Sequence, residues 1–318
     1  MRALITGCAG FIGSNMARRC IDEGWHVDAV DDMSNGHSEF IPKGLNFFFY
    51  SDFASEHVLS NVNSQKYDAV IHLAAIPRVS YSVEHPLETH ETNVNSTLKL
   101  LEACKGNVGR IVFASSSSVY GGADVLPTPE AHARNPKSPY ALQKAVIEDY
   151  LQLYNNLYGL DSACMRFFNV FGPNQLGGSP YATAVSAWLT AIKEGRPMRS
   201  DGDGSQTRDM CYVDNVVDAC MRAASFKGRL NAECFNVACG DRTSNIDVLN
   251  ELKRRYPDAT HVDAPWRPGD VMHTQADVTK AGEVLGYKPL VKFWDGFEKT
   301  VTWYEENWGM IKGMKLRT

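Results

Sequence analysis

The chain has 318 residues, of which 44% are hydrophobic and 22% charged, with a formal charge of −5 and an isoelectric point near 6.0. It is long enough to bury a sizeable core, as two domains or as one large sheet with an added lobe, and no apolar run could span a bilayer. Without a basic patch or tail it is a poor candidate for binding nucleic acid or an anionic membrane, which leaves a small anion as a possible ligand.

The eight cysteines contain no C-x-x-C spacing and offer no metal site. They read as small apolar residues inside strands and helices, and the chain opens on a strand at Arg2 rather than on a leader; both point to a reduced, cytoplasmic setting. Arg2 to Thr6 is a short buried strand, followed by Gly7-Cys-Ala-Gly10-Phe11-Ile12-Gly13 and an amphipathic run from Ser14 to Glu23 that stops at Gly24. In a strand–turn–helix of this kind Gly7 permits a tight turn, Gly10 admits a diphosphate to the backbone amides, and Gly13 lets the helix pack on the strand. A second apolar strand, His26 to Val30, ends in Asp31 at the distance beyond the glycines where a ribose-binding carboxylate belongs. Its charge would repel a 2′-phosphate, so the expected cofactor is NAD and not NADP. A polar loop, Asp32 to Gly36, follows and contains Ser34 and Asn35.

Leu45 to Tyr50 is the third strand, with Asp52 and Phe53 just past its end, where Asp52 could meet the adenine amino group. Tyr67 to Leu73 is the fourth; it ends in Ala74-Ala75, small residues suited to a cofactor lying against backbone, and its His72 is read as packed. Glu88 to Lys105 is expected to be one helix carrying Thr92, and Arg110 to Ala114 is the fifth strand, delivering Ser115 and Ser116 at its end. This alternation predicts an α/β fold with a doubly wound parallel sheet, and ligands then bind beyond the carboxyl ends of the strands.

Pro139 should open a helix, Tyr140-Ala-Leu-Gln-Lys144, in which the phenol and the ammonium share a face. A cation there favours the phenolate and would turn Tyr140 into a usable base near neutral pH. Taken with Thr6-Gly7-x-x-Gly10-x-x-Gly13, Asp31 and the Ser116 to Gly121 region, the pair resembles the extended short-chain dehydrogenase/reductase family. Arg166-Phe-Phe168-Asn169-Val-Phe-Gly172-Pro173, Gly202-Asp-Gly204, Arg208-Asp209 and Arg267-Pro-Gly-Asp270 extend the likeness, within that family, to the nucleotide-sugar 4-epimerases.

The resemblance implies a Rossmann-like domain over residues 1–170 with return segments at about 209–243, and a smaller α+β substrate lobe from 171–208 and 244–318. It implies Ser116, Tyr140 and Lys144 as the catalytic group, with Lys144 on the nicotinamide ribose. The cofactor would also touch Phe11, Ile12, Gly36, Leu73, Ala75, Thr92, Ser115 and Phe168, while Asn169, Arg208 and Arg267 would hold the substrate diphosphate, a pairing that suits bidentate guanidinium contacts. Asp270 and Thr274 would line the sugar pocket.

Three chemistries fit this set: a 4-epimerase working by oxidation at sugar C4, turning of the keto sugar and reduction on its other face; an NDP-sugar 4,6-dehydratase; or a non-catalytic dinucleotide sensor. The dehydratase needs an acid and a base after Ser116, where this chain has Ser117 and Ser118. The segments Ser179-Pro-Tyr-Ala, Gly202-Asp-Gly and Arg267 to Thr274 resemble epimerases that accept UDP-GlcNAc and UDP-GalNAc, with UDP-glucuronate epimerases as the main rival; the small Thr274, where plain-hexose enzymes commonly carry a tyrosine, would leave room for an N-acetyl group, and the resemblance implies a homodimer through the Thr92 and Tyr140 helices.

Overall fold

The computed structural model describes residues 1–77, 79–178, 182–265 and 271–314. From β1 (Arg2–Thr6) the chain runs through α1 (Phe11–Asp22), β2 (His26–Asp31), β3 (Phe47–Tyr50), α2 (Glu56–Ser64) and β4 (Tyr67–His72). Two short helices, α3 (Val79–Glu84) and α4 (Pro86–His90), lead through a π-helical turn, Glu91–Ser96, into α5 (Thr97–Cys104). Then come β5 (Val108–Ser116), α6 (Pro139–Tyr158), β6 (Ser162–Phe167) and β7 (Asn169–Phe171). The remainder comprises α7 (Ala184–Lys193), β8 (Met198–Asp201), β9 (Thr207–Arg208), β10 (Met210–Tyr212), α8 (Val213–Ser225), β11 (Glu233–Val237), β12 (Thr243–Ser244), α9 (Asn245–Arg255), β13 (His261–Ala264), α10 (Thr279–Leu285) and α11 (Phe293–Ile311).

Seven strands form one parallel sheet in the order β11-β6-β5-β4-β1-β2-β3. Its inner strands are mostly apolar because both faces are covered, while edge strand β3 leaves Phe47 and Tyr50 exposed. On one face Met16, Ala17 and Cys20 of α1 pack with Val216, Val217 and Cys220 of α8 and Phe297 and Val301 of α11. On the other, Val58 and Val62 of α2, Leu100 and Leu101 of α5, and Ile147 and Leu151 of α6 close the second layer. Ile147 and Leu151 are fully buried, and each such side chain contributes roughly 1.5–3 kcal/mol.

The chain leaves β1 toward β2 and β3, then crosses back to β4 on the other side of β1, which creates a crevice at the carboxyl ends of β1 and β4. Beyond the sheet lie three two-stranded pieces: β7 with β10, β9 with β12, and β8 with β13. Glu233–Val237 adds an edge strand to the main sheet, whereas Met210–Tyr212 pairs outside it and Val213–Ser225 returns as a helix against its face. The helix expected over Glu88 to Lys105 is interrupted by the π-turn. There Asn93 points inward, its amide bonding the backbone N–H and C=O of Ile76 and the side chain of Gln143, and an insertion of one residue per turn re-aims a side chain in this way.

Candidate active site

The glycine turn is set by contacts a side chain could not survive. Gly7 has φ +72°, and a Cβ on it would lie 2.9 Å from the backbone N of Ala74; a Cβ on Gly13 would lie 1.9 Å from the carbonyl oxygen of Gly7. The two strand ends and the first turn of α1 therefore meet backbone to backbone, with Gly10 N–H donating to Gly7 C=O at 3.2 Å, and the helix begins at the crevice with Phe11 and Ile12 in its first turn. Thr6 fastens the opposite wall: its Oγ1 accepts from the N–H groups of Leu73 and Ala74 at 3.1 and 3.0 Å, just before Ala75.

Asp31 ends β2 with Oδ2 accepting from Ala9 N–H at 2.9 Å and Oδ1 from Met33 N–H at 2.8 Å. Burial pushes its carboxyl up and these two bonds pull it back, so the carboxylate is oriented with a second lone pair on each oxygen for a diol. Asp32 accepts from Ser34 N–H at 2.8 Å, and the loop holding Ser34, Asn35 and Gly36 borders a cavity of about 390 Å³. Asp52 is exposed and caps Ala54 N–H at 2.7 Å, while Phe53 is buried with its ring 4.9 Å from that of His72. His72 lies between Thr6 and Thr97 hydroxyls at 2.7 and 3.0 Å, and burial brings it down to about 3, so it is a neutral core residue.

At the far end of the crevice α6 begins with Ser138, whose hydroxyl accepts from Ala141 N–H, and Pro139 in its first turn. This start puts Tyr140 beside the end of β5, where the Ser116 hydroxyl is near enough to favour the phenolate and itself accepts from Ser118 N–H at 3.1 Å. Lys144 is 4% exposed, with Nζ 4.6 Å from the centre of the Phe113 ring and 5.8 Å from that of Tyr140. The strand sequence and the helix spacing thus bring Ser116, Tyr140 and Lys144 together.

Their protonation differs from the expectation that Lys144 lowers the phenol. Burial pushes Tyr140 up to about 12, with only the Ser116 bond opposing it, and brings Lys144 down to about 7. Burial thus disfavours the charged form of both groups.

Ser115 turns the other way, its hydroxyl donating to Glu148 at 2.6 Å. Thr92 is half-buried in the π-turn, and Phe168 is buried behind the site, its N–H donating to Val237 C=O at 3.2 Å.

Asn169 opens β7 directly after Phe168. Arg208 and Thr274 belong to one layer: Thr274 N–H donates to Thr207 C=O at 3.1 Å, Thr274 Oγ1 accepts from Asp209 N–H at 3.2 Å, and Arg208 Nη1 reaches Met272 C=O at 3.2 Å. Asp209 is fully buried and accepts from the N–H groups of Cys239, Gly240 and Ala276, yet burial still raises its carboxyl to about 7. Arg267, Asp270 and the stretch from Ser179 to Tyr181 lie outside the described residues. Sequence reasoning missed Ser82, whose buried Oγ accepts from Tyr140 N–H at 3.1 Å, together with Asn93 and Glu148. Glu148 had one available signal: it follows Lys144 by one helical turn on the same face.

A crevice at the switch point, an anion-ready helix end, an oriented carboxylate at the end of β2 and a Ser–Tyr–Lys group at the end of β5 fit a nicotinamide dinucleotide. The chain also resembles proteins of known chemistry along most of its length. It is 37% identical to a UDP-glucose 4-epimerase of Mycolicibacterium smegmatis over 314 residues, covering 96% of this chain and 98% of that one. The UDP-glucose 4-epimerase of Thermotoga maritima, solved with UDP-glucose, superposes with a TM-score of 0.91 at 34% identity, over 97% of this chain and 100% of its own. A UDP-N-acetylglucosamine 4-epimerase of Methanobrevibacter ruminantium, solved with UDP-N-acetylmuramic acid, gives 0.90 at 33% identity, over 96% and 98%. The sequence model of the NAD-dependent epimerase/dehydratase family matches residues 3–238, and the chain is an enzyme of that family, with NAD as its cofactor.

Proposed function

We propose that the protein interconverts UDP-sugars at C4, with UDP-GlcNAc and UDP-GalNAc as its preferred pair and UDP-Glc and UDP-Gal also admitted. The observation that carries the reading is the convergence of Ser116, Tyr140 and Lys144 beside a serine pair, Ser117-Ser118, at the positions where elimination of a 6-hydroxyl would need an acid and a base. A serine hydroxyl does not ionise near neutral pH, so neither position can serve as that acid or base.

Bound NAD supplies the hydride acceptor for C4 and a cationic nicotinamide ring. With the cofactor bound, Tyr140 would take the proton of the 4-hydroxyl, the nearby Ser116 hydroxyl favouring its phenolate. The same phenol returns the proton when the sugar is reduced from its other side. Lys144, in its protonated form, stabilises the phenolate and holds the nicotinamide ribose. Asn169 and Arg208, with Arg267, bind the diphosphate; Asp270 and Thr274 line the sugar pocket. In this reading residues 1–170 with 209–243 form the cofactor part, and 171–208 with 244–318 form the substrate lobe. Thr274 supports the N-acetyl assignment because its side chain is small and its hydroxyl is held by Asp209 N–H at 3.2 Å.

A homodimer is supported by the outer side of α6, where Leu142, Leu153 and Leu157 are 53%, 46% and 61% exposed. Eight free cysteines support a reducing, cytoplasmic setting, and among the described residues no helix is long and apolar enough to cross a membrane. The test is an NMR screen of the purified protein against UDP-Glc, UDP-GlcNAc, UDP-GlcA and their C4 epimers. Equilibration of the acetylated pair at the highest kcat/KM is the expected result; turnover of UDP-GlcA alone, or of none, overturns the proposal.

A further inference from the structure

One turn beyond Lys144 on α6, Glu148 is 4% exposed. Its Oε1 accepts from Ser115 Oγ at 2.6 Å and from Arg166 Nε at 2.8 Å; its Oε2 accepts from Arg166 Nη2 at 2.7 Å and, at greater length, from Arg134 Nη1 at 3.4 Å. Ser115 and Arg166 are opposite one another in the register of β5 and β6, one residue before Ser116 and Phe167 end the pairing. A single buried carboxylate therefore ties two strands to α6 at the residue next to Ser116. Arg166 carries the connection outward, donating from Nη1 to Tyr120 Oη at 2.9 Å, and Tyr120 donates to Asn236 Oδ1 at 2.7 Å.

We propose that Glu148 is a positioning residue of the reaction: it locks the strand end bearing Ser116 against the helix bearing Tyr140 and Lys144, and it presents a negative charge to the Lys144 ammonium. Lys144 is faced by the Phe113 ring from β5, by Tyr140 on its own helix and by His72 from β4, which burial keeps neutral. Burial brings Lys144 down to about 7, and among the described residues Glu148 is the carboxylate acting against that fall. Around Glu148 itself stand Arg166 from β6, Arg134 from the segment before α6, Ser115 from β5, and, at longer range, the Cys164 thiol and the Tyr120 phenol. The arrangement makes the charge of Lys144 depend on the balance between one acid and two arginines.

The lock itself needs no assumption about substrate; its kinetic consequence rests on the 4-epimerase reading. The direct test titrates the Lys144 side-chain carbon by NMR in protein labelled with 13C-lysine, the resonance being identified by its absence in Lys144→Met. In Glu148→Gln, which keeps the shape and loses the charge, the midpoint falls by about one pH unit, and in Arg134→Met it rises. On the most active UDP-sugar, the alkaline limb of kcat moves in the same directions with KM changed less than about twofold, which a merely structural tie would not produce. An unmoved Lys144 midpoint in Glu148→Gln, or a loss of rate equal at every pH, overturns the proposal. If Glu148→Gln does not fold, an unmoved midpoint in Arg134→Met overturns it. Wild-type protein that turns over no UDP-sugar refutes the functional reading and leaves the NMR midpoints to decide the role of Glu148.

Discussion

The nucleotide end of the crevice and its sugar end are made from different materials. Gly7, Gly10, Gly13 and Asp31 come from one strand–turn–helix–strand unit and act through backbone: carbonyls and amides in contact, and a carboxylate held by two N–H groups. In the proposed reading the sugar end draws Ser116 from β5, Tyr140 and Lys144 from α6, Asn169 from β7, Arg208 from β9 and Thr274 from a segment far along the chain, and it would act through side chains. An added methyl group is therefore the probe of the first end, and a lost oxygen or an enlarged side chain the probe of the second.

That contrast is sharpest at Tyr140. Tyr140→Phe removes only the ionisable oxygen, and kcat should fall about 10²- to 10⁴-fold while UDP-sugar affinity, read by calorimetry, stays within a few-fold. Comparable rates in the variant would break the assignment of the proton transfer to this residue.

Thr274→Tyr tests shape instead of chemistry. A ring pushed into the space beside Asp209 costs about 1–3 kcal/mol with an acetamido group present, so turnover of UDP-GlcNAc and UDP-GalNAc should drop about 10- to 100-fold more than that of UDP-Glc and UDP-Gal. An unchanged ratio among the four sugars removes Thr274 as the determinant.

At the nucleotide end, purified protein should carry NAD(H), released on denaturation. Gly13→Ala forces a methyl into the Gly7 carbonyl, 1.9 Å away, and should lower both NAD(H) content and Tm, at a cost of about 1–3 kcal/mol or more. Full occupancy and an unaltered Tm would mean that the turn is more pliable than its contacts indicate.

The smallest effect expected is one of stability and pH. Lys144 is depressed from its ordinary value to about 7 in the folded protein, so between pH 7 and 10.5 the unfolded chain binds more protons and stability rises with pH. Lys144→Met removes the buried charge. After removal of the nucleotide, its Tm should exceed that of the unmodified protein by a margin that is constant below about pH 7 and shrinks as pH climbs toward the ordinary lysine value. A margin independent of pH would assign the effect to packing alone.

The sequence by itself determined the parts whose cause is local. The apolar runs and glycine spacing of residues 2–31 dictate strand, turn and helix, Pro139 and Gly159 bracket α6, and the Tyr140–Lys144 spacing sets one face of it. Those local patterns placed the strand ends of the cofactor side to within two residues: β5, expected to end at Ala114, runs on to Ser116, and β4, expected to end at Leu73, stops at His72. Only the tertiary structure decided what depends on neighbours distant in the chain: the π-turn that aims Asn93 at Ile76 and Gln143, the pairing of Met210–Tyr212 with β7, and the binding of Thr274 to Asp209. It also made burial the leading influence on the Tyr140 phenol. Spacing predicts which groups meet, but their proton affinities follow from how completely water is excluded, and that is a property of the whole packed crevice rather than of any stretch of sequence.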